Sequence, residues 1–410
     1  MTHPRWLECT ACGKTFPIGP MLSGCDCGGP LEVRYDPAAA DQSLVRSWLS
    51  ARDESLWQYA PLLPLTDPAH AITMGEGQTA LHPCEALKRK YGHDGIFLKN
   101  ETINPTWSHK DRYHTVAMSM ARAFGFSRAV TASTGNHGIS AAAYAARAGM
   151  ACVVFFAAET SPAMWHLAGL YGAQAVVTSF DGRTPLVKDV AGRPGWYPAT
   201  GFGFRGPADP FGIEGYKTIA FELIRQMGGA PDAVLVPVGG GNLLYGIWKG
   251  FREAKEVGLA PRTPRMVACH AAGANILERA LALGGDDVPP LPDAFSIATS
   301  TREKTAGRYA LRALRESGGR AVSVEEDEIM AAVRMLGEEG VCAETASALS
   351  VACAGRLLRE GVIAPDERMA CIITSSGVKW PELLPEVSRP PVRMAPGDTR
   401  RLEALLARFT

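Results

Sequence analysis

Lys110 closes the run Asn104-Pro105-Thr106-Trp107-Ser108-His109-Lys110 and is followed by Asp111-Arg112. A lysine amine condenses with an aldehyde to a Schiff base only in its neutral form. From Lys110 to Phe124, apolar residues recur at Val116, Met118, Met120, Ala121 and Phe124, which predicts a helix opening on the lysine after an Asn-Pro turn. The positive end of a helix dipole disfavours a cation there and so favours the free amine. Lysines near helix starts are also common as solvated surface groups, so the reactive reading needs support from elsewhere in the chain.

Three strand-to-helix or strand-to-loop turns supply it. Ser133-Thr134-Gly135-Asn136-His137 follows the apolar strand Arg128–Thr131 and opens an alanine-rich helix, Ile139–Ala148. Free backbone N–H groups in such a turn can hold a carboxylate, although Ser133 or Thr134 could equally serve as an ordinary helix cap. Gly239-Gly240-Gly241-Asn242 follows the strand-like run Val234–Val238. Three glycines ahead of a helix form a concave nest of N–H donors suited to a phosphate. The spacing is neither a Gly-x-Gly-x-x-Gly fingerprint nor a Gly-Lys-Ser/Thr loop. Finally, the apolar run from Met369 ends in Thr374-Ser375-Ser376-Gly377, hydroxyls at the carboxyl end of a strand, where open α/β sheets place ligands.

In this order the elements resemble the fold-type II pyridoxal-phosphate (PLP) enzymes, most closely the threonine synthase family. That family's Gly-Glu-Gly-x-Thr-x-Leu is matched by Gly75 to Leu81, and its Asn-Pro-Thr-x-Ser-Phe-Lys-Asp-Arg by Asn104 to Arg112 except at His109. Its Ser-Thr-Gly-Asn loop is matched by Ser133 to Asn136, and its Thr-Gly-x-Gly-Leu-Lys by Thr374 to Lys379 with substitutions. The resemblance implies that Lys110 forms the Schiff base with PLP and later acts as general base at the substrate's Cα. It implies that Asn136 bonds the cofactor's phenolic oxygen, that Gly239, Gly240, Gly241 and Asn242 cradle its phosphate, and that Thr374 faces the pyridine nitrogen. Ser108, Ser133, Thr134, Gly135 and His137 would meet the substrate. A hydroxyl at the ring nitrogen leaves a weaker electron sink than a carboxylate would, which favours elimination and replacement chemistry. Glu344, at the family's Glu-Pro-x-Ser-Ala position, would cap a helix or support the site rather than move protons. His109 and His137 are read as packing groups around the lysine.

The chain has 410 residues, 46% hydrophobic and 20% charged, enough for a large core in two domains. A formal charge of zero without a basic block argues against nucleic acid as a partner. No apolar run of membrane-spanning length and no signal peptide is visible, and ten cysteines, several in predicted strands, suit a reducing cytoplasm. Strands are expected at Arg128–Thr131, Ala151–Phe156, Ala175–Thr178, Ala233–Val236, Met266–His270 and Met369–Thr374, alternating with helices as in a mostly parallel α/β protein. Pro61–Pro68, Val288–Pro292 and Arg389–Pro396 read as linkers or surface crossings. The resemblance implies two open, mostly parallel-sheet domains of the tryptophan synthase β-like kind, plus a small N-terminal ribbon. We expect the ribbon over residues 1–36, the start of the large domain over 37–100, a small α/β domain over 101–220 and the rest of the large domain over 221–410. A homodimer acting on a small-molecule amino acid, with no membrane partner, is the expected assembly.

The ribbon carries Cys9-x-x-Cys12 and Cys25-x-Cys27, each next to glycine. Four thiolates on two such knuckles suit a tetrahedral zinc with no open position, hence a structural Zn²⁺. The substrate region departs from the family. Where the family reads Asn-Pro-x-Arg to grip a phosphate, this chain reads Asp209-Pro210-Phe211-Gly212, and the family's Ala-Ile-Arg-Ile-Gly-Asn-Pro has become Ser300 to Ala306. Losing the arginine's fork and gaining an anion disfavours a dianionic phosphate unless Lys217, Arg205 or Lys304 replaces it. The expected activity is therefore β- or γ-elimination or replacement on an amino acid that is not necessarily phosphohomoserine. Genuine threonine synthesis and a serine/threonine dehydratase-like ammonia-lyase, suggested by His137 after the Asn136 loop, are the alternatives. A retired, PLP-binding regulator would have no reason to keep lysine, asparagine, glycine loop and hydroxyl together.

Overall fold

Val234, Leu235 and Val236 are all fully buried, so their strand is covered on both faces and must lie inside a sheet rather than at its surface. The computed structural model describes residues 4–20, 24–36, 55–200, 209–396 and 399–407. Three strands, β1 (Pro4–Cys9), β2 (Thr15–Phe16) and β3 (Leu31–Tyr35), make an antiparallel ribbon in the order β2-β1-β3. The chain then enters a six-stranded sheet through β4 (Leu81–Pro83) and β5 (Ile96–Asn100). It leaves to build a separate four-stranded sheet from β6 (Arg128–Ser133), β7 (Ala151–Ala157), β8 (Gln174–Thr178) and β9 (Trp196–Pro198). It returns with β10 (Ala233–Pro237), β11 (Arg265–Ala271), β12 (Arg320–Val324) and β13 (Met369–Ile373). The small sheet, β8-β7-β6-β9, is parallel throughout, and the large one, β12-β11-β10-β13-β5-β4, is parallel except for β4. The fold is thus α/β of the expected fold-type II kind, with each anticipated strand present.

Five helices position the site: α1 (Lys110–Ala123), α2 (Asn136–Arg147), α3 (Ile213–Met227), α4 (Asn242–Glu256) and α5 (Thr345–Arg359). One face of β10, through Val234 and Val236, joins α1 to α4 and the small sheet in a single apolar core. The opposite face, through Leu235, packs with Leu98, Cys371 and α5.

Pro61–Pro68 is not a surface crossing, because Leu62, Leu63 and Leu65 are buried; Leu63 and Leu65 pack among ribbon and α1 residues such as Leu7 and Val116. Beyond these apolar contacts, β3 is tied to the core by buried charge. Tyr35 donates to Glu214 at 2.8 Å, Tyr245 to Glu32 at 2.7 Å and Lys249 to the Val33 carbonyl at 2.7 Å. Lys217 pairs with Glu214 at 2.6 Å and Glu253 at 2.8 Å, which removes it from the phosphate-binding candidates. Arg205 lies outside the described residues, and Lys304 faces Asp181 at 3.5 Å.

Candidate active site

Lys110 is the first residue of α1, and its neighbours in sequence are the bolts that hold it there. Asp111 accepts hydrogen bonds from the Thr106 N–H and the Ser140 hydroxyl, both at 2.6 Å. Arg112, fully buried, forks onto Glu101 at 2.6 and 2.9 Å and onto Glu222 at 2.6 and 2.9 Å. Glu222 also accepts the N–H groups of Gln78 and Thr79, so the Gly75–Leu81 segment is pinned to the same cluster. The loop ahead of the helix is held by Lys379, which donates to the carbonyls of Thr106 at 2.9 Å and Trp107 at 3.1 Å. Charge-assisted bonds in a dry interior are strong and directional, so the lysine between them has little freedom of backbone placement.

The Lys110 amine donates to the Tyr216 hydroxyl at 3.2 Å. Burial lowers its pKa to about 8, against the opposing charges of Glu303 and Glu344. It opens into a cavity of about 180 Å³ that gathers the three turns singled out in the sequence. Ser133, Thr134, Asn136 and His137 line it from the head of α2; Gly239, Gly240, Gly241 and Asn242 from the head of α4; Thr374 from the end of β13. Ser108 and Gly135 lie behind the wall: Ser108 is buried and bridged to Ser375, and a Cβ on Gly135 would meet Met164 at 2.2 Å.

Among the described residues, no acceptor takes the N–H groups of Gly239, Gly240 or Gly241. Gly241 has φ of +92°, and a Cβ there would lie 2.4 Å from that of Ala310, so only glycine can make this turn. Unused donors at the start of α4 fit a phosphate. Asn136 donates through Nδ2 to both Glu344 oxygens at 3.0 Å, while its buried Oδ1 has no partner. Trp380 holds Glu344 from the other side at 3.0 Å. Glu344 occupies the N-cap position of α5 without capping it through its side chain, so its work is to clamp Asn136. The Thr374 hydroxyl is within 2.8 Å of Ser347, with no carboxylate bonded to it. An amine poised for condensation, an open N–H nest, an unsatisfied amide and a hydroxyl together fit PLP.

Both histidines bond backbone carbonyls, His109 to Thr374 at 3.0 Å and His137 to Ala199 at 2.8 Å. Burial first, then the Lys110 charge, pushes His137 down to about 3 and His109 well below its usual range, so both rings are neutral at physiological pH. Four site residues had no sequence signal. Tyr216 lies inside a helix and Trp380 in a short turn, while Arg183, which opens the helix Arg183–Ala191 after β8, and Glu303, in a loop between β11 and β12, reach the cavity from the two different sheets.

A profile of the family "pyridoxal-phosphate dependent enzyme" matches residues 72–375. The chain is 36% identical to the threonine synthase of Methanocaldococcus jannaschii, over 94% of this chain and 96% of that one. It is 33% identical to the threonine synthase of Methanosarcina acetivorans, over 94% and 95%. Among solved structures, maize serine racemase superposes with a TM-score of 0.62 at 20% identity, covering 82% of this chain and 94% of that one. Threonine deaminase isoform 2 from Solanum lycopersicum does so with a TM-score of 0.63 at 22% identity, covering 87% and 90%. These two show the shared fold, and the sequence relatives carry the assignment further. The chain belongs to the pyridoxal-phosphate dependent enzyme family, as a fold-type II lyase similar to threonine synthase.

Proposed function

We propose that the enzyme carries out elimination or replacement at the β or γ carbon of an α-amino acid. The observation that carries this is the Lys110 amine, lowered to about 8, in one cavity with the glycine nest, Asn136 and Thr374. When bound, PLP supplies an electron-withdrawing ring that acidifies the Cα–H of an attached amino acid. Lys110 would hold the cofactor covalently and then take the Cα proton at Nζ. Gly239, Gly240, Gly241 and Asn242 would hold the phosphate, Asn136 the phenolic oxygen and Thr374 the ring nitrogen. Ser133, Thr134 and the N–H groups at the head of α2 would receive the substrate carboxylate.

Threonine synthesis from phosphohomoserine is the second reading, favoured by the names of the relatives at 33–36% identity. It is opposed by the region of Gly212, where the space an arginine stem would need is taken by the Tyr113 ring. Purified protein should be screened against phosphohomoserine, phosphoserine, serine and threonine, reading oxo-acid and phosphate release. Phosphate and threonine from phosphohomoserine at high efficiency would establish the second reading.

We propose also that the ribbon holds a structural Zn²⁺. The Sγ atoms of Cys9, Cys12, Cys25 and Cys27 all lie within 4.8 Å of one another. Zn–S bonds of about 2.3 Å in a tetrahedron space sulfurs by roughly 3.8 Å. The closest pairs here are 3.5 and 3.6 Å.

A further inference from the structure

The cavity contains two carboxylates with opposite circumstances. Glu344 is bonded to Asn136 and Trp380. Glu303 has a side chain with no hydrogen bond or ion pair among the described residues, although it lines the same cavity as Lys110. Its Cγ packs over the glycine turn, 3.2 Å from where a Cβ on Gly239 would stand. Its burial is only partial and its oxygens are not sealed off, so the carboxyl is free to meet a substrate in the cavity, as a proton-transfer role requires.

We propose that Glu303 is a catalytic residue, the proton donor to a departing hydroxyl, and that the substrates are accordingly β- or γ-hydroxy α-amino acids. This rests on the elimination chemistry proposed above and names its substrate class. Hydroxide is a poor leaving group and needs a proton as it departs. A phosphate ester leaves unaided as an anion and has no need of a proton donor. For a β-hydroxy substrate the bookkeeping closes. The Cα proton goes to Lys110 Nζ and its electron pair forms the new C=C bond. The Cβ–O bond breaks with its pair on oxygen, which takes the Glu303 proton and leaves as water. The unsaturated amino acid then hydrolyses to a 2-oxo acid and ammonia, and the proton on Lys110 returns to Glu303 through the cavity. Burial raises the pKa of Glu303, which favours its protonated form. The charges facing it are Arg183 from the start of the helix after β8, Lys110 from α1, its neighbour Arg302, and Asp181, the first three lowering and the last raising.

The test compares L-serine, L-threonine and L-homoserine, whose hydroxyl needs a proton, with β-chloro-L-alanine, whose chloride does not, in wild-type holoenzyme and in Glu303→Gln and Glu303→Asp. We expect Glu303→Gln to lower the ratio of hydroxy-acid to chloro-acid turnover at least about a hundredfold, and Glu303→Asp to restore part of it. The alkaline fall in wild-type kcat on the hydroxy substrate should be missing with chloroalanine. Infrared difference spectra of wild type against Glu303→Gln should show the loss of a protonated carboxyl band. An unchanged ratio, or no turnover of any hydroxy substrate by an enzyme that processes chloroalanine, overturns the proposal. If wild type processes none of the four, the elimination reading itself falls.

Discussion

A Cβ at position 212 would lie 2.4 Å from the ring of Tyr113, so Gly212 has no room for a side chain while Tyr113 stands. Asp209, beside them, does not face an open phosphate site either. Its carboxylate accepts the Tyr197 hydroxyl at 2.7 Å and the N–H groups of Phe211 at 2.8 Å and Gly212 at 3.1 Å. Gly212→Arg by itself should therefore lower the melting temperature without any gain on phosphohomoserine. Gly212→Arg with Tyr113→Ala, leaving Asp209 in place, should raise kcat/KM for phosphohomoserine relative to other substrates. One recovered charge-assisted pair is worth about 1.5–3 kcal/mol, roughly ten- to a hundredfold. Steady-state kinetics on the two variants decide it, and a gain from the single change would refute the steric account.

Borohydride reduction of the holoenzyme followed by peptide mass mapping should place the pyridoxyl group on Lys110. The pH dependence of cofactor uptake is a sharper check. The neutral amine is the nucleophile, and burial sets its pKa at about 8 instead of the ordinary 10.5. Reconstitution of cofactor-free protein should therefore speed up as pH rises through about 8 and level off above it. A rate still climbing toward pH 10 would mean an exposed lysine is reacting instead.

Glu222 carries the buried cations Lys99 and Arg112, at 2.6 Å each. Burial pushes its pKa up, but the two cations overcome that and hold it well below the usual carboxylate range. Glu222→Gln would strand positive charge in a dry site, at a cost of about 3–5 kcal/mol measured by denaturant unfolding. Because the folded pKa is depressed, the stabilisation is present above the unfolded pKa and fades as pH falls below about 4.5. That acid loss should be smaller in the variant than in wild type.

Metal analysis of protein made with ample zinc should give about one Zn²⁺ per chain, and Cys9→Ser should release it while the PLP absorbance remains. Protein that contains no zinc under those conditions would leave the four thiols as a fold relic.

The place of Lys110 at a helix start and the three turns were legible in the sequence because local rules set them: glycine before a helix, hydroxyls after a buried strand, and a periodic apolar run. β12 and the short strands β4 and β9 were missed; β4 and β9, at three residues each, sit below any periodic signal. Glu303 and Arg183 escaped for another reason. Glu303 sits in a loop with no pattern of its own and Arg183 opens the helix Arg183–Ala191 after β8, and they reach one cavity only because two separate sheets bring these segments together. The missing arginine was readable at Gly212, but the packing there was not, since Tyr113 fills that space from a helix about a hundred residues upstream.

The ribbon's hold on the core has an evolutionary consequence. Glu214, Lys217, Lys249 and Glu253 balance one another in charge, and β3 supplies further hydrogen-bond partners to them through the Tyr35 hydroxyl and the Val33 carbonyl. A descendant that shed its first strands would inherit a set of stranded polar groups in its interior. Loss of the four cysteines one by one leaves those contacts in place, whereas loss of β3 removes them. The cysteines could drift while Glu32, Val33 and Tyr35 stay put.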